Sequence, residues 1–294
     1  MSGRPKVALL IESSNTYARE LLHGIRSWQR DHDTWTIRLT EHGRGAKVPA
    51  WLKSWEGDGI IARVENRGIA KALQSTGLPV VDVSAALPDT PFIRVATDST
   101  AATELAIDHL RERGLTQFAY CGDDQFQWSK QRYRYFADGL KERGYACAKF
   151  SSPKIDRKSP RRVDQEVDAI AQWLMTLPKP VGILACYDIR GQQVLEACGQ
   201  VGIRVPDEAA VMGVHNDELL CDLCDPPLSS VIPNARQAGY RAAEILSQLM
   251  VRKSKSASLK TNYLIEPLGV SCRQSTDLVA IDDPKISEAL RFIR

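Results

Sequence analysis

The run from Arg94 to Gly122, RVATDSTAATELAIDHLRERGLTQFAYCG, constrains the fold more than any other part of the chain. A short apolar run ends in an acid, Asp98. A helical pattern opens directly behind it and runs to Gly114, and a second apolar run follows. Ala102, Leu105, Ala106 and Leu110 recur at three- and four-residue spacing, which gives this helix one apolar face. Ser99 or Thr100 is suited to cap its start. The unit sets a carboxylate at the carboxyl end of a buried strand, where open α/β sheets bind their ligands.

Similar units lie on both sides. Strands are expected at Val7–Ile11, Thr36–Thr40, Gly59–Val64, Val80–Ser84, Phe118–Cys121, Val181–Cys186 and Ala210–Val214. Several are apolar on both faces, as parallel strands covered by helices should be. Gly114, Gly144 and Gly202 stand where the intervening helices should stop. This alternation predicts a doubly wound parallel α/β fold, with too many strands for one small sheet and hence two similar lobes. The segments GDDQFQWS and KIDRKSPRR are polar and read as loops.

Composition narrows the function classes. A chain of 294 residues with 43% apolar and 26% charged residues is of ordinary globular type. Its net charge of +3 is too small to imply a nucleic-acid surface, where a clustered basic face is expected. Seven scattered cysteines do not make a secreted disulfide framework. The apolar run Val7–Ile11 is too short for a signal-peptide core or a membrane span. A reducing, cytoplasmic protein is the expectation.

The blocks VATDSTAATELAIDHLRERGLTQFAYCG, RYRYFADGLKERGY, GILACYDIRGQQVLEACGQVGIRVPDEAAVMGVHNDELL and PPLSSVIPNARQAGYRAAEILSQLM, in that order, resemble the effector-binding core of LacI/GalR-type regulators. That core is similar to periplasmic sugar-binding proteins, and the resemblance covers roughly residues 5–275. Here, however, a strand begins at Val7, where such repressors carry a helix-turn-helix. The segment DDPKISEALRFIR looks like the first helix of an AraC-type DNA-binding domain, with Ile286, Ala289, Leu290 and Ile293 on one face. A LacI-like sensor joined to an AraC-type reader is the architecture of xylose operon regulators, and WLKSWEGDGIIARVENRGIAKAL and STDLVAIDDPKISEALRFIR resemble that group as well.

The resemblance implies two Rossmann-like lobes of the periplasmic binding protein type I (LacI-like effector-binding) fold, hinged by three crossing strands. Crossings are expected near Cys121–Asp124, Leu228–Ile232 and Leu264–Leu268. Residues 5–121 with 233–263 would form the first lobe and 124–228 with 267–275 the second. Residues 276–294 would be a linker and the start of the truncated helix-turn-helix domain. The implied function is a sugar-responsive transcription regulator whose effector is a pentose, D-xylose first, bound in the cleft between lobes. A homodimer is implied, with promoter DNA read by the AraC-type domain rather than by these residues. The alternative is a stand-alone sugar-binding receptor of transport or chemotaxis.

Sugars are held by carboxylates and Arg that hydrogen-bond hydroxyls, with an aromatic ring against the apolar face. Asp98 matches the family's acid at the strand end; its structural alternative is capping the following helix. Arg132 matches the effector-binding Arg, with Arg134 as the neighbouring alternative. Asp188, in ACYDIR, opens a helix as a contact or as a cap, and Tyr187 stands before it where the family usually has Asn. His215 and Asn216 lie where the family usually has an acidic pair. His215 departs from the pattern but still donates and accepts hydrogen bonds. Trp128 is read either as a stacking platform in a polar loop or as a packing residue. Tyr17 and Glu12 follow the first strand and complete the set of ligand-binding expectations.

Other signals point to no chemistry. Cys221 and Cys224 have metal-ligand spacing, but no second pair completes a site, so no metal is expected. Gly43–Gly45 lacks the Lys-Ser/Thr of a phosphate loop. Trp51 and Trp55 lie four apart and read as one packed helix face. No nucleophile–base constellation is present, so neither a cofactor nor enzymatic activity is expected.

Overall fold

The computed structural model describes residues 3–32, 34–40, 48–152, 161–251 and 260–278. The expected loop KIDRKSPRR, the Gly43–Gly45 turn and the expected helix after Pro284 lie largely or wholly outside these residues. The chain alternates strands and helices throughout. In order come β1 (Lys6–Leu10), α1 (Thr16–Asp31), β2 (Thr36–Leu39), β3 (Gly59–Ala62), α2 (Arg67–Gln74), β4 (Val80–Asp82), β5 (Ile93–Thr97), α3 (Ser99–Arg111), β6 (Phe118–Cys121) and α4 (Gln127–Glu142). There follow β7 (Cys147–Lys149), α5 (Arg162–Met175), β8 (Val181–Ala185), α6 (Asp188–Val201), β9 (Ala209–Val214), α7 (Glu218–Asp222), β10 (Ser229–Ile232), α8 (Ala235–Val251), β11 (Asn262–Ile265) and β12 (Gly269–Ser271). All seven strands expected from the apolar runs are present, within two residues at their ends. The fold is of the periplasmic binding protein type I class, two α/β units with largely parallel sheets.

The first unit comprises residues up to Asp98 and Pro233–Leu268. Its sheet has the order β11-β5-β4-β3-β1-β2, every neighbour parallel. The chain leaves β1 toward β2 on one side and returns to β3 on the other, so a topological switch point lies between β1 and β3. On one face α1 and α8 pack through two glycines. A Cβ at Gly239 would stand 2.0 Å from the Leu21 carbonyl oxygen, and one at Gly24 would stand 1.9 Å from that of Arg236. Leu21, Ile25, Trp28, Ala238, Ala242 and Ile245 fill the space between these helices and the sheet. Trp51 and Trp55 pack edge to face at 5.6 Å beside Leu52, with the Arg38 guanidinium 4.3 Å over Trp51, as the packing reading of that pair requires.

The second unit comprises Ser99–Ile232 and the residues from Gly269. Its sheet has the order β12-β10-β9-β8-β6-β7, the topology of the first unit again, with β12 running antiparallel to β10. The switch point here lies between β6 and β8. The first crossing falls between Asp98 and Ser99, not near Cys121–Asp124 as expected, and residues 99–121 belong to the second unit. The physical reason is pairing. β6 lies between β7 and β8, and the apolar face of α3 (Ala102, Ala106, Leu110) shares a core with Tyr120, Phe136 and Leu140. The later crossings follow β10 and β11. Gly114, Gly144 and Gly202 end their helices at φ of 77°, 82° and 71°, the left-handed region that glycine enters without steric cost.

Candidate functional site

Polar side chains collect where the parallel strands of each unit end. In the first unit, Glu12 follows β1, Arg63 follows β3, and Thr97 and Asp98 close β5. Glu12 and Arg63 therefore flank the switch point. Arg63 donates from Nη1 to Oε1 of Glu12 at 2.8 Å, and the Asn15 amide donates to the same oxygen. Asn15 also caps α1, its Oδ1 accepting from the Ala18 amide at 2.9 Å. Tyr17 stands on the first turn of α1 with its hydroxyl 3.3 Å from Thr97 Oγ1 and its ring 5.8 Å from the Arg63 guanidinium. The Asp98 amide donates to the Ile265 carbonyl at 2.8 Å, which fixes the backbone at the strand end.

Three of the sequence expectations, Glu12, Tyr17 and Asp98, thus fall at the carboxyl edge of one sheet. Arg63 and Thr97 join them. The rule that singled out Asp98, a polar residue directly behind an apolar run, applies equally to Arg63 behind GIIA. α3 begins at Ser99, so Asp98 rather than Ser99 or Thr100 holds the position ahead of the helix. Asp82 ends β4, fully buried, with Oδ1 accepting from the amides of Val64 (3.1 Å) and Ser84 (2.9 Å). Burial pushes its carboxyl up to about 7, against the pull of those amides and of Arg94. Asp82 thereby fixes the backbone next to Arg63.

In the second unit Arg132 lies on α4, 7% exposed. It donates from Nη1 to the Cys186 carbonyl, at the end of β8, and its guanidinium is 5.5 Å from the Trp128 ring. Its Nε has no hydrogen-bond partner among the described residues. Trp128 sits in the first turn of α4, not in a loop. The residue ahead of that helix is Phe126, which offers no side-chain cap, so the usual start signal is missing from the sequence. Trp128 is half-buried, stacked on Phe126 at 5.2 Å and edge-on to Tyr187 at 5.7 Å.

Asp188, the first residue of α6, is 2% exposed. Its Oδ2 accepts from the Asp217 amide at 2.8 Å and its Oδ1 from the Ser230 hydroxyl at 2.6 Å. Burial, with Asp217 adding to it, raises its carboxyl to about 7 despite these bonds. His215 and Asn216 follow β9 with φ of 115° and 49°. The Asn216 side-chain oxygen accepts from Arg273 Nη1 at 2.9 Å. Arg273 and Ser230 carried no sequence signal, because what places them is pairing between distant segments.

Carboxylates, amides and guanidinium groups of this kind recognise a neutral polyol by hydrogen bonding. The thiols of Cys121 and Cys186 are buried, and burial pushes both above their usual range, which denies them thiolate character. Cys221 and Cys224 are buried too, and the described residues contain no group of three or more His, Cys, Asp or Glu placed to hold a metal. No helix among them is long and apolar enough to cross a membrane.

Comparison with known proteins bears on the family and the fold. Residues 107–276 match the family of periplasmic binding protein-like domains, and residues 6–99 match the XylR N-terminal domain. The xylose operon regulatory protein of Escherichia coli K12 is 31% identical over 299 residues, covering 99% of this chain and 74% of that protein. Its counterpart in Haemophilus influenzae is 31% identical over 297 residues, covering 98% and 75%. A solved structure of a xylose-binding transcription activator, XylR, superposes with a TM-score of 0.84 at 29% identity, covering 99% of this chain and 74% of that one. A periplasmic binding protein/LacI regulator from Alkaliphilus metalliredigens, solved with D-xylulofuranose, shares the fold at a TM-score of 0.70 and 18% identity, covering 92% and 99%. The regulatory relatives are transcription regulators, not enzymes.

Proposed function

The chain belongs to the family of xylose operon regulatory proteins and is an effector-binding domain of that family; on that premise we propose that its effector is a pentose, D-xylose first. Asp98, Glu12 and Tyr17 serve from the first unit, with Arg63 added. Arg132, His215, Asn216 and Trp128 serve from the second. The carboxylates accept hydroxyl hydrogens, the guanidinium groups donate to hydroxyl oxygens, and Trp128 offers an apolar face.

The observation that carries this reading is Arg132. Its guanidinium is anchored through Nη1 on the Cys186 carbonyl at the end of β8, 5.5 Å from the Trp128 ring, and a guanidinium so placed has further donors to offer a sugar hydroxyl.

Sugar binding then shifts an equilibrium between two states of the domain, in proportion to its difference in affinity for them. The regulator acts as a homodimer and reads promoter DNA through an AraC-type domain. A reporter fused to a promoter under this regulator tests the proposal. Expression should change on addition of D-xylose, and the change should be lost with Arg132→Ala. A reporter indifferent to every pentose would overturn it.

A further inference from the structure

We infer that Asp188 is a positioning residue of the sugar site: it holds the turn at residues 215–217 through Ser230 and the Asp217 amide, and does not itself touch the sugar. This replaces the direct contact expected for Asp188 and rests on the reading of His215 and Asn216 as sugar-binding residues.

Two consecutive non-glycine residues with positive φ, His215 at 115° and Asn216 at 49°, occupy backbone conformations that side chains with a Cβ disfavour. Such a turn persists only where its surroundings over-determine it. Here each amide from 215 to 217 is held. His215 N donates to the Val231 carbonyl at 3.0 Å, Asn216 N to Ser230 Oγ at 3.0 Å, and Asp217 N to Asp188 Oδ2 at 2.8 Å. Ser230 Oγ in turn donates to Asp188 Oδ1 at 2.6 Å. Two of the three restraints therefore converge on one carboxyl group.

That carboxyl is seated with no room to move. A Cβ at Gly213 would lie 2.3 Å from Asp188 Oδ1, so β9 has a glycine where the carboxylate presses on its backbone. At 2% exposure, with one bond to each oxygen, Asp188 is directed into the protein. Its chemistry reaches a ligand through the direction it gives His215 and Asn216.

The test is a double-mutant cycle read by calorimetric titration of the 294-residue chain with D-xylose. Asp188→Ala should weaken binding roughly tenfold, the scale of a lost charge-assisted hydrogen bond. In a background with both His215→Ala and Asn216→Ala the same change should have little further effect, because groups acting through one another are not additive. Asp188→Asn, which keeps one acceptor, should recover part of the affinity. Amide hydrogen exchange at residues 216–217 should rise in Asp188→Ala. If that variant fails to fold, Ser230→Ala removes the same relay with a smaller change and should show the same coupling to His215 and Asn216. Additive losses would mean that Asp188 contacts sugar directly and would overturn the inference. Unchanged affinity with lowered stability would make Asp188 merely structural and overturn it too. A wild-type chain that gives no heat with D-xylose contradicts the sugar reading itself, a failure distinct from either.

Discussion

Arg63 Nη1 and Glu12 Oε1 meet at 2.8 Å across the switch point of the first sheet, one residue beyond β3 and two beyond β1. Glu12 is 3% exposed and the Arg63 side chain 14%. Removing one partner of such a pair leaves the other as a buried, poorly compensated charge. Arg63→Ala should lower unfolding free energy by about 2–4 kcal/mol, toward the lower side of what a fully buried pair loses. It should also weaken D-xylose binding, while Arg63→Lys retains more of both. Urea denaturation and calorimetry on the two variants check this. A loss under about 0.5 kcal/mol, the size of a surface effect, would show that the pair is solvated.

The contact between α1 and α8 depends on missing side chains. A methyl at position 239 would meet the Leu21 carbonyl at 2.0 Å, inside any allowed contact. Helix propensity alone favours Ala over Gly by about 1 kcal/mol. Overpacking should nevertheless win, and Gly239→Ala should destabilise the chain by about 1–3 kcal/mol. A raised melting temperature in this variant would contradict the packing described.

Two buried groups give stability a pH dependence of opposite sign. Asp188 has its folded carboxyl raised to about 7 from 3.8, so between those values the folded chain binds more protons than the unfolded one, and stability from this group falls as pH rises. Asp188→Asn cannot ionise and should gain on the wild type steadily from about pH 4 to about pH 7. His109 is buried against Thr276, its ring 2.8 Å from Oγ1, and burial with the Arg113 charge lowers it to about 4. Here the unfolded chain binds the extra proton. The wild type should therefore lose stability relative to His109→Gln as pH falls through 6.5 toward 4. Melting temperatures of the three proteins across pH 4–8 test both signs, and parallel curves would contradict both assignments.

Much of this architecture is legible in the chain because its signals are local. The apolar runs gave every expected strand, the glycines behind HLRER and GLKER stood at the helix ends, and Asp98 stood at a strand end. What stayed hidden depends on distant pairing. Nothing between Arg94 and Gly122 tells which sheet receives β6, so the first crossing was expected some twenty residues late. β7 and β12 are half-buried edge strands, so no continuous apolar run marks them. The start of α4 at Gln127 lacks a capping residue, which is why Trp128 read as part of a loop. The partners of Asp188 come from Asp217 and Ser230, segments that no spacing rule connects to it.

Calorimetric titration of the purified chain with a panel of pentoses and hexoses, run beside thermal melts, decides whether a pentose is the effector. D-xylose should give saturable heat and raise the melting temperature, since a ligand that binds the folded state stabilises it. Asp98→Ala and Arg132→Ala should each bind about ten- to hundredfold more weakly, from the loss of charge-assisted hydrogen bonds. Absence of heat and of any melting shift with every aldopentose at about millimolar concentration, or undiminished affinity in both variants with folding intact, would contradict the proposed pentose site.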